Sequence, residues 1–139
     1  MKFQIQEGFF SLTESYEDES INIIKFKELQ SALVITRACL TQEQSLEGYY
    51  DQQMAQLKHA MKNFLLDERK KVTVSSADER RQSYQAHCEF EQKGQRMYQC
   101  LLFTEAQGRL LAMAYSQPRA FSEADFAHWQ GIIDSLVLH

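Results

Sequence analysis

The amino-acid sequence predicts an α+β fold in which a twisted antiparallel β-sheet packs with two helices. Several short runs alternate in polarity or are continuously apolar, as β-strands are. Two longer segments repeat apolar residues at steps of three and four, as amphipathic helices do. Only one Pro and five Gly interrupt the 139 residues, and no repeat or linker divides them. We therefore expect a single domain over residues 1–139.

The first third of the chain is predicted to form strands. An alternating stretch at Phe3–Ile5 and a short apolar run at Phe9–Leu12 precede an acidic loop at Glu14–Glu19. Two further strands are predicted at Ser20–Phe26 and Ala32–Cys39, because both runs are rich in Ile, Leu and Val.

The segment Ser45–Leu66 is predicted to form the long helix. Thr41 and Ser45 are the candidate N-caps, since both offer a hydroxyl at its start. The helical spacing is carried by Leu46, Tyr50, Met54, Leu57, Met61 and Phe64.

An antiparallel meander is predicted to follow. Its turns fall at Lys93-Gly94 and Gln107-Gly108, both of which are residue pairs typical of hairpins. The four strands are predicted at Lys71–Ser75, Tyr84–Gln92, Arg96–Thr104 and Arg109–Ser116.

The last element is predicted to be a helix with a well-marked start. Ser122 is the expected N-cap, and Asp125 three residues later completes a capping box. Phe121 and Phe126 stand at the positions of a hydrophobic staple. The apolar stripe of this helix is expected at Phe126, Trp129, Ile133 and Leu136.

The strands of this sequence are apolar on both faces. Along Ser20–Phe26, Ile21 and Ile23 point to one side, whereas Ile24 and Phe26 point to the other. We expect both helices to cover the same face, so that the second face needs a further subunit, a ligand or another protein. The alternative is that N-terminal residues fold across that face.

Bulk properties exclude several classes of protein. The net charge of −4 argues against a nucleic-acid binder. The sequence shows no secretory signal and no run of ~20 apolar residues, so we expect a cytoplasmic protein that does not insert into a membrane. Three cysteines without metal-type spacing, Cys39, Cys88 and Cys100, are expected to be reduced and buried.

No sequence motif indicates catalysis. The sequence has no zinc-binding His pattern, no Gly-rich phosphate loop and no nucleophile elbow. Cys88 and His87 are adjacent on a strand and therefore face opposite sides, and His87 is expected to face solvent. We expect a protein that is not an enzyme and uses no metal or other cofactor.

In Leu12–Ile23 (LTESYEDESINI), an aromatic residue, an Asp, a Ser, an aliphatic residue and an Asn follow one another at fixed spacing. This pattern resembles the opening signature of the DcrB-related family, in which the third of these residues is Ser or Thr and the fourth is also aliphatic. Thr13 stands where the family usually has Pro, and Tyr16 where Trp is common. Three later segments are similar to its second strand, long helix and closing Trp-containing helix, namely Val34–Arg37, Tyr50–Phe64 and Phe121–Leu136.

Within that family, the chain resembles the Eag chaperones of type VI secretion. This resemblance implies a Mog1/PsbP-like fold, a homodimer and a cupped apolar groove. The groove would hold the N-terminal transmembrane helices of a secreted effector before export. The alternatives are a small-molecule or lipid-binding module that uses the same groove, and a structural subunit whose apolar face is used up by dimerisation.

The resemblance also implies which residues line the groove. Leu101 falls where relatives can carry a second glutamine, and Gln99, on the same face, is the candidate to replace it. Leu57 and Met61 have an alternative as ordinary core residues, and Gln53 as a solvated one. The client-binding residues carried over are Ile21, Ile23, Val34, Gln53, Leu57, Met61, Met97, Gln99 and Leu101.

Overall fold

The protein is described here from a computed structural model, which covers residues 2–15, 19–39, 45–76, 80–106 and 108–138. The α+β class is confirmed, since two helices pack against a curled sheet. The order within these ranges is β1 (Lys2–Ile5), β2 (Gly8–Ser11), β3 (Asn22–Phe26), β4 (Ser31–Cys39), α1 (Leu46–Ala60), β5 (Lys62–Leu66), β6 (Lys70–Ser76), β7 (Arg80–Gln92), β8 (Gln95–Ala106), β9 (Arg109–Gln117), α2 (Glu123–Ser135) and β10 (Val137–Leu138). The acidic loop and the signature are described only in part, and Tyr16, Thr41 and Gln107 lie outside the described residues.

The main sheet is mixed, which corrects the prediction of a purely antiparallel one. Its strand order is β10-β6-β7-β8-β9-β4-β3, and β5 pairs with β7 beside this path. All pairs are antiparallel except β10 with β6, where Val137 is the register partner of Ser75. The two-residue strand β10 follows α2 directly, and it is too short to leave a recognisable alternation in the sequence.

The N-terminal residues form a hairpin of their own. Strands β1 and β2 pair with each other in a separate sheet, where the rings of Phe3 and Phe10 stack at 5.4 Å between centroids. This hairpin leaves Ile21 and Ile23 exposed. The alternative in which N-terminal residues cover the open face is therefore not the arrangement seen.

The two helices lie on opposite faces of the sheet, so the prediction that they share one face is wrong. The α1 residues Tyr50 and Met54 form a buried cluster with Leu101 of β8. The α2 residue Trp129 belongs to a separate buried cluster with Leu102. Because Leu101 and Leu102 are consecutive in one strand, their side chains point to opposite faces. Much of the apolar surface on both faces of the sheet is therefore covered by the chain's own helices.

Helix α1 ends earlier than predicted. Its N-cap is Ser45 as expected, with the Gly48 N–H donating to Ser45 Oγ at 3.0 Å. It stops at Ala60, and Met61 is extended where the helix was expected to continue. Residues Lys62–Leu66 form β5, whose pairing with β7 shifts register around Asn63, a residue with left-handed φ of 52°. Such a bulge bends the strand.

The start of α2 is confirmed in detail. Asp125 N–H donates to Ser122 Oγ at 3.2 Å, and Ser122 N–H donates to Asp125 Oδ2 at 2.9 Å. The rings of Phe121 and Phe126 lie 5.3 Å apart, as a hydrophobic staple requires. The amide of buried Gln117, at the end of β9, donates to Asp125 Oδ2 at 3.0 Å, which ties the strand to the helix.

Arg69 connects the loop between β5 and β6 to α1. Its guanidinium donates to Glu47 Oε1 at 3.0 Å. The same group lies 5.3 Å from the ring centroid of Tyr50 and 4.3 Å from that of Tyr84. One cation therefore contacts both the first turns of α1 and the strand beneath them.

The predicted hairpin turn between β7 and β8 is confirmed. Lys93 and Gly94 both have positive φ, 53° and 77°. Two consecutive left-handed residues match the right-handed twist of the flanking strands, which is why Gly is favoured there.

Candidate functional site: an apolar groove beside the first helix

One row of register partners crosses the sheet on the face that carries α1. It runs from Ile23 of β3 through Val34, Ala114 and Leu101 to Ala86 of β7. Ile23 is 62% exposed at the sheet edge, Val34 and Ala114 are half-buried, and Leu101 beneath the helix is 4% exposed. The apolar surface of the core thus continues into solvent.

The groove is the part of this face that α1 leaves open. The buried cluster of α1 lies over β7 and β8, and Ala112 and Ala114 of β9 pack against its edge, whereas β4 and β3 extend beyond it. A cavity of about 150 Å³ lies between the middle of α1 and strands β4, β8 and β9. We use "the groove" for this cavity together with Ile21 and Ile23. The cavity is lined by Val34, Thr36, Gln53, Met54, Leu57, Gln99, Leu101, Phe103, Ala112, Met113 and Ala114.

Five of the nine predicted site residues meet in this cavity. They come from three separate elements, namely β4, α1 and β8, which the fold brings together. Leu101 forms its buried floor, and Leu57 both lines it and packs against the core cluster. The five are Val34, Gln53, Leu57, Gln99 and Leu101.

The other four predicted residues lie outside the cavity. Ile23 is exposed on the edge strand β3 as the register partner of Val34, and Ile21, also exposed, precedes that strand. Met97 packs against the core cluster and lines a different cavity, of about 320 Å³, near the end of β9. Met61 is half-buried against the same cluster but follows the end of α1, because the helix stops one residue before it.

Gln99 is already hydrogen-bonded within the chain. Its Nε2 donates to Ser116 Oγ at 2.9 Å, and its Oε1 accepts from the Cys88 thiol at 3.6 Å. The side chain is therefore held in one orientation at the groove. Gln53 of α1, which is half-buried, lines the same cavity.

The cysteines are inert or peripheral. Burial raises the pKa of both Cys88 and Cys100 to about 12, so neither forms a thiolate near neutral pH. Cys39, predicted to be buried, is instead exposed at the last position of β4. Cys39 is paired with Arg109 of β9, so its exposure arises although the neighbouring strand extends that far.

His87 does face away from Cys88, but it is half-buried rather than solvent-facing. Its Nδ1 lies 3.5 Å from Asp67 Oδ2, and its ring centroid is 5.2 Å from that of Phe126. The described residues contain no group of three or more potential metal ligands. Neither helix in the described ranges has the length and apolarity needed to cross a membrane.

Comparison with known proteins places this chain in a family. The sequence model named DcrB matches residues 7–135, which is most of the chain. The chain belongs to the DcrB family. A search among curated proteins found no match to it.

The fold of this DcrB family member has a counterpart among solved structures. It is similar to the crystal structure of PA94, a Pseudomonas aeruginosa protein of unknown function, with a TM-score of 0.75. The two share 17% sequence identity, and the match covers 100% of this chain and 96% of the other. At that identity the likeness establishes a shared fold.

Sequence reasoning missed part of the groove of this DcrB family member. Thr36, Phe103, Ala112 and Ala114 line the cavity but were not among the predicted site residues. The alternation along β9 places Ala112 and Ala114 on one face, and their small side chains leave space above the sheet. These alanines could be predicted to line the groove only if β9 were already known to lie next to β4.

Proposed function

We propose that this protein is a cytoplasmic chaperone that binds and shields N-terminal transmembrane helices of a type VI secretion effector before export. The observation that carries the proposal is the exposed apolar edge of the groove. Ile23, which is 62% exposed, is the register partner of half-buried Val34, and Ile21, which precedes β3, is 59% exposed. Full burial of one such side chain contributes roughly 1.5–3 kcal/mol.

The dimensions of the groove suit a helix. Strand β9 borders α1 on this face, and β4 and β3 lie beyond it. Strands are spaced by about 4.8 Å, so the strip from β9 to β3 is roughly 10 Å wide. An α-helix with its side chains is about 10–12 Å across. One client helix would fit beside α1, with the strip beneath it.

The groove chemistry also suits a helix that carries a few polar groups. Most of its lining is apolar, while Thr36, Gln53 and Gln99 add polar atoms at separate points. A transmembrane segment exposes ~20 apolar residues in water. Thr36 and Gln53 would favour client helices whose Ser or Thr residues fall opposite them, because a polar group buried without a hydrogen bond is costly.

The alternative function, a small-molecule or lipid-binding module in the same groove, is less well supported. Ligand sites usually enclose about 300–1,000 Å³, whereas the enclosed part of this groove is about 150 Å³. The rest of the groove is an open strip of the sheet surface. Such a surface can contact an elongated helix along its length but cannot enclose a small ligand.

The homodimer belongs to the same proposal. In the described part of the sheet β3 is the terminal strand, and Ile24 is exposed on the face opposite Ile23. A second copy at this edge would lengthen the apolar strip available to a client. If dimerisation instead covers the groove completely, the protein is a structural subunit, and no client will bind.

Co-expression with a candidate effector tests the proposal. The effector's N-terminal helices should stay soluble and co-purify with this protein, and should aggregate or enter membranes without it. A client that stays insoluble in both cases contradicts the proposal. Native mass spectrometry of the protein purified alone separates the alternatives, because a retained small ligand supports the binding module and an empty dimer supports the chaperone.

A further inference from the structure

A second cavity, near the turn between β3 and β4, continues the groove. It measures about 320 Å³, and its walls include Lys25, Lys27, Met97 and Ser116. The Nε2 of Gln99, which lines the groove, donates to Ser116 Oγ at 2.9 Å. This hydrogen bond joins the linings of the two cavities. We call the second one the lysine cavity.

The lysine cavity lies on the same face of the sheet as the groove. Ile23 and Lys25 are two residues apart on β3, so their side chains point to the same side. Lys25 is the register partner of Ala32. The same row continues through Ser116 to Gln99. It lies about 7 Å along the strands from the row of Ile23, so a helix lying along the groove reaches it.

Helix α1 runs along this face in a defined direction. The ring of Tyr50, in its first half, lies 5.3 Å from that of Phe103. Lys62, just past its end, lies in the register row of Arg96. Because Arg96 is next to Met97 of the lysine cavity, α1 runs from the Phe103 end of β8 toward that cavity. A client helix beside α1 would have one of its ends there.

The two lysines give this end of the groove a positive charge. Lys25 and Lys27 are exposed, and no described carboxylate lies within ion-pair distance of either ammonium group. Glu28, in the same turn, does not line the cavity, and the remaining lining residues are uncharged. Two cations therefore stand beside an apolar surface without a partner among the described carboxylates.

The opposite end of the same face carries a different charge pattern. Glu105, near the end of β8, is half-buried and lines a cavity with the first residues of α1. Arg80, in that cavity, donates to Thr73 Oγ1 of β6 at 2.9 Å. Arg37 projects from the other face of β4 and donates to the Ser20 carbonyl at 3.2 Å. These two arginines are therefore engaged within the chain, unlike the two lysines.

We infer that Lys25 and Lys27 receive the C-terminal end of the client helix, which then runs in the same direction as α1. The last four carbonyl groups of a helix have no partner within it, and the helix dipole makes that end negative. Nearby ammonium groups stabilise such an end, and an acidic residue there adds an ion pair. This inference rests on the proposed chaperone function and names the client feature that the groove would select.

Two synthetic peptides test the inference on the intact protein. Both are capped helices of about 20 Leu, Ala and Ser residues with a fluorophore in the middle. One ends in two glutamates, and the other begins with them. Fluorescence anisotropy should show that the first peptide binds roughly three- to tenfold more tightly, the combined effect of two cations at a helix C-terminus.

A double variant assigns this preference to the lysines. Lys25→Gln with Lys27→Gln should reduce binding of the first peptide to that of the second. Lys70→Gln with Lys71→Gln is the matched control, because both lysines are exposed, lie on β6 and give the same change in charge. The control should keep the preference of the unaltered protein.

A nitroxide label on Cys39 reports the direction of the bound helix. Cys39 is exposed at the end of β4 farthest from Ala32 and the lysine cavity, whereas the other two cysteines are buried. The label should broaden nuclear magnetic resonance signals from the N-terminal residues of the first peptide more than those from its C-terminal residues.

The outcomes separate this inference from the proposed function. Binding of neither peptide would contradict both. Equal binding of the two peptides, tighter binding of the second, or a preference that survives in the Lys25 and Lys27 double variant would overturn the inference and leave the groove as a helix-binding surface. Stronger broadening at the C-terminal residues would show that the helix runs the other way, which also overturns it.

Discussion

Ile23 and Val34 are direct register partners across β3 and β4, and their side chains lie on the same face of the sheet as α1. Val34 lines the groove, whereas Ile23 stands exposed at its edge. No polar residue separates them, so the hydrophobic surface runs from the core outward to the end of the sheet. This continuity makes Ile23 the most informative position for mutation.

The substitution Ile23→Asp should abolish client binding and leave the fold intact. A carboxylate at this point would be buried unpaired against an apolar helix, which costs several kcal/mol and weakens binding by roughly a hundredfold or more. Because Ile23 is exposed, we expect the melting temperature to change by no more than about 3 °C. Co-purification of the client and circular dichroism measure the two effects.

The matched control is Ile24→Asp. Ile24 is the next residue on the same strand, is 44% exposed and points to the opposite face. This variant should retain the client. If both variants lose it, β3 acts through its edge or its stability rather than through the face that carries α1. Unfolding of Ile23→Asp alone would show that Ile23 belongs to the core.

Leu101→Ala should destabilise the protein strongly. Leu101 is buried between β8 and α1, and removal of a buried leucine side chain costs roughly 2–5 kcal/mol of unfolding free energy. Val34→Ala, at a half-buried position in the same row, should cost clearly less. Urea denaturation measures both values. A loss below about 1 kcal/mol for Leu101→Ala would mean that this residue faces the groove rather than the core.

Ser122→Ala should lower the free energy of unfolding by about 0.5–2 kcal/mol, because Ser122 Oγ accepts the Asp125 N–H at the start of α2. Ser135→Ala is a suitable control at the other end of the helix, where the hydroxyl donates to the Ile132 carbonyl near solvent. Chemical denaturation should separate the two variants. Equal effects would speak against a specific role for the cap.

Stability should also depend on pH through Asp125. The hydrogen bond from the Ser122 backbone, and then that from Gln117, lower the pKa of Asp125 in the folded protein. Its stabilising effect is therefore complete above the unfolded pKa of ~3.9 and is lost as pH falls through the lower folded pKa. Asp125→Asn should reduce the loss of stability at acid pH, measured as the fall in urea midpoint between about pH 6 and about pH 2. An unchanged fall would mean that other carboxylates cause the loss.

Thiol titration should find one reactive cysteine in the folded protein. Cys39 is exposed, whereas Cys88 and Cys100 are buried with pKa raised to about 12. An aromatic disulfide reagent should therefore modify one thiol at neutral pH and all three after denaturation in guanidinium. Rapid modification of Cys88 in the native state would indicate that α1 opens readily.

The parts of the fold that follow from local geometry could be predicted from the sequence. Side chains alternate along any strand, so the opposite directions of Ile23 and Ile24 needed no knowledge of the partners. The capping box of Ser122 and Asp125 spans one helical turn and carries its own signal. The same alternation along β4 and β8 places Val34, Gln99 and Leu101 around one cavity.

The parts that depend on distant contacts could not be predicted. Apolar spacing continues through Met61 and Phe64, and such a short run is compatible with helix or strand; pairing with β7 decides in favour of strand. Periodicity likewise does not say which face of the sheet a helix covers. The place of Ala114 beside Val34 arises from pairing between strands far apart in sequence.

Helix α1 is fastened at both of its ends. Arg69 joins its first turns to Tyr84 of the sheet, and at the other end the chain passes without a loop into β5, which is paired to β7. A helix held at both ends resists sliding toward or away from the neighbouring strands. The groove beside it would then keep a fixed width, which would admit narrow helices rich in small residues and exclude bulky ones.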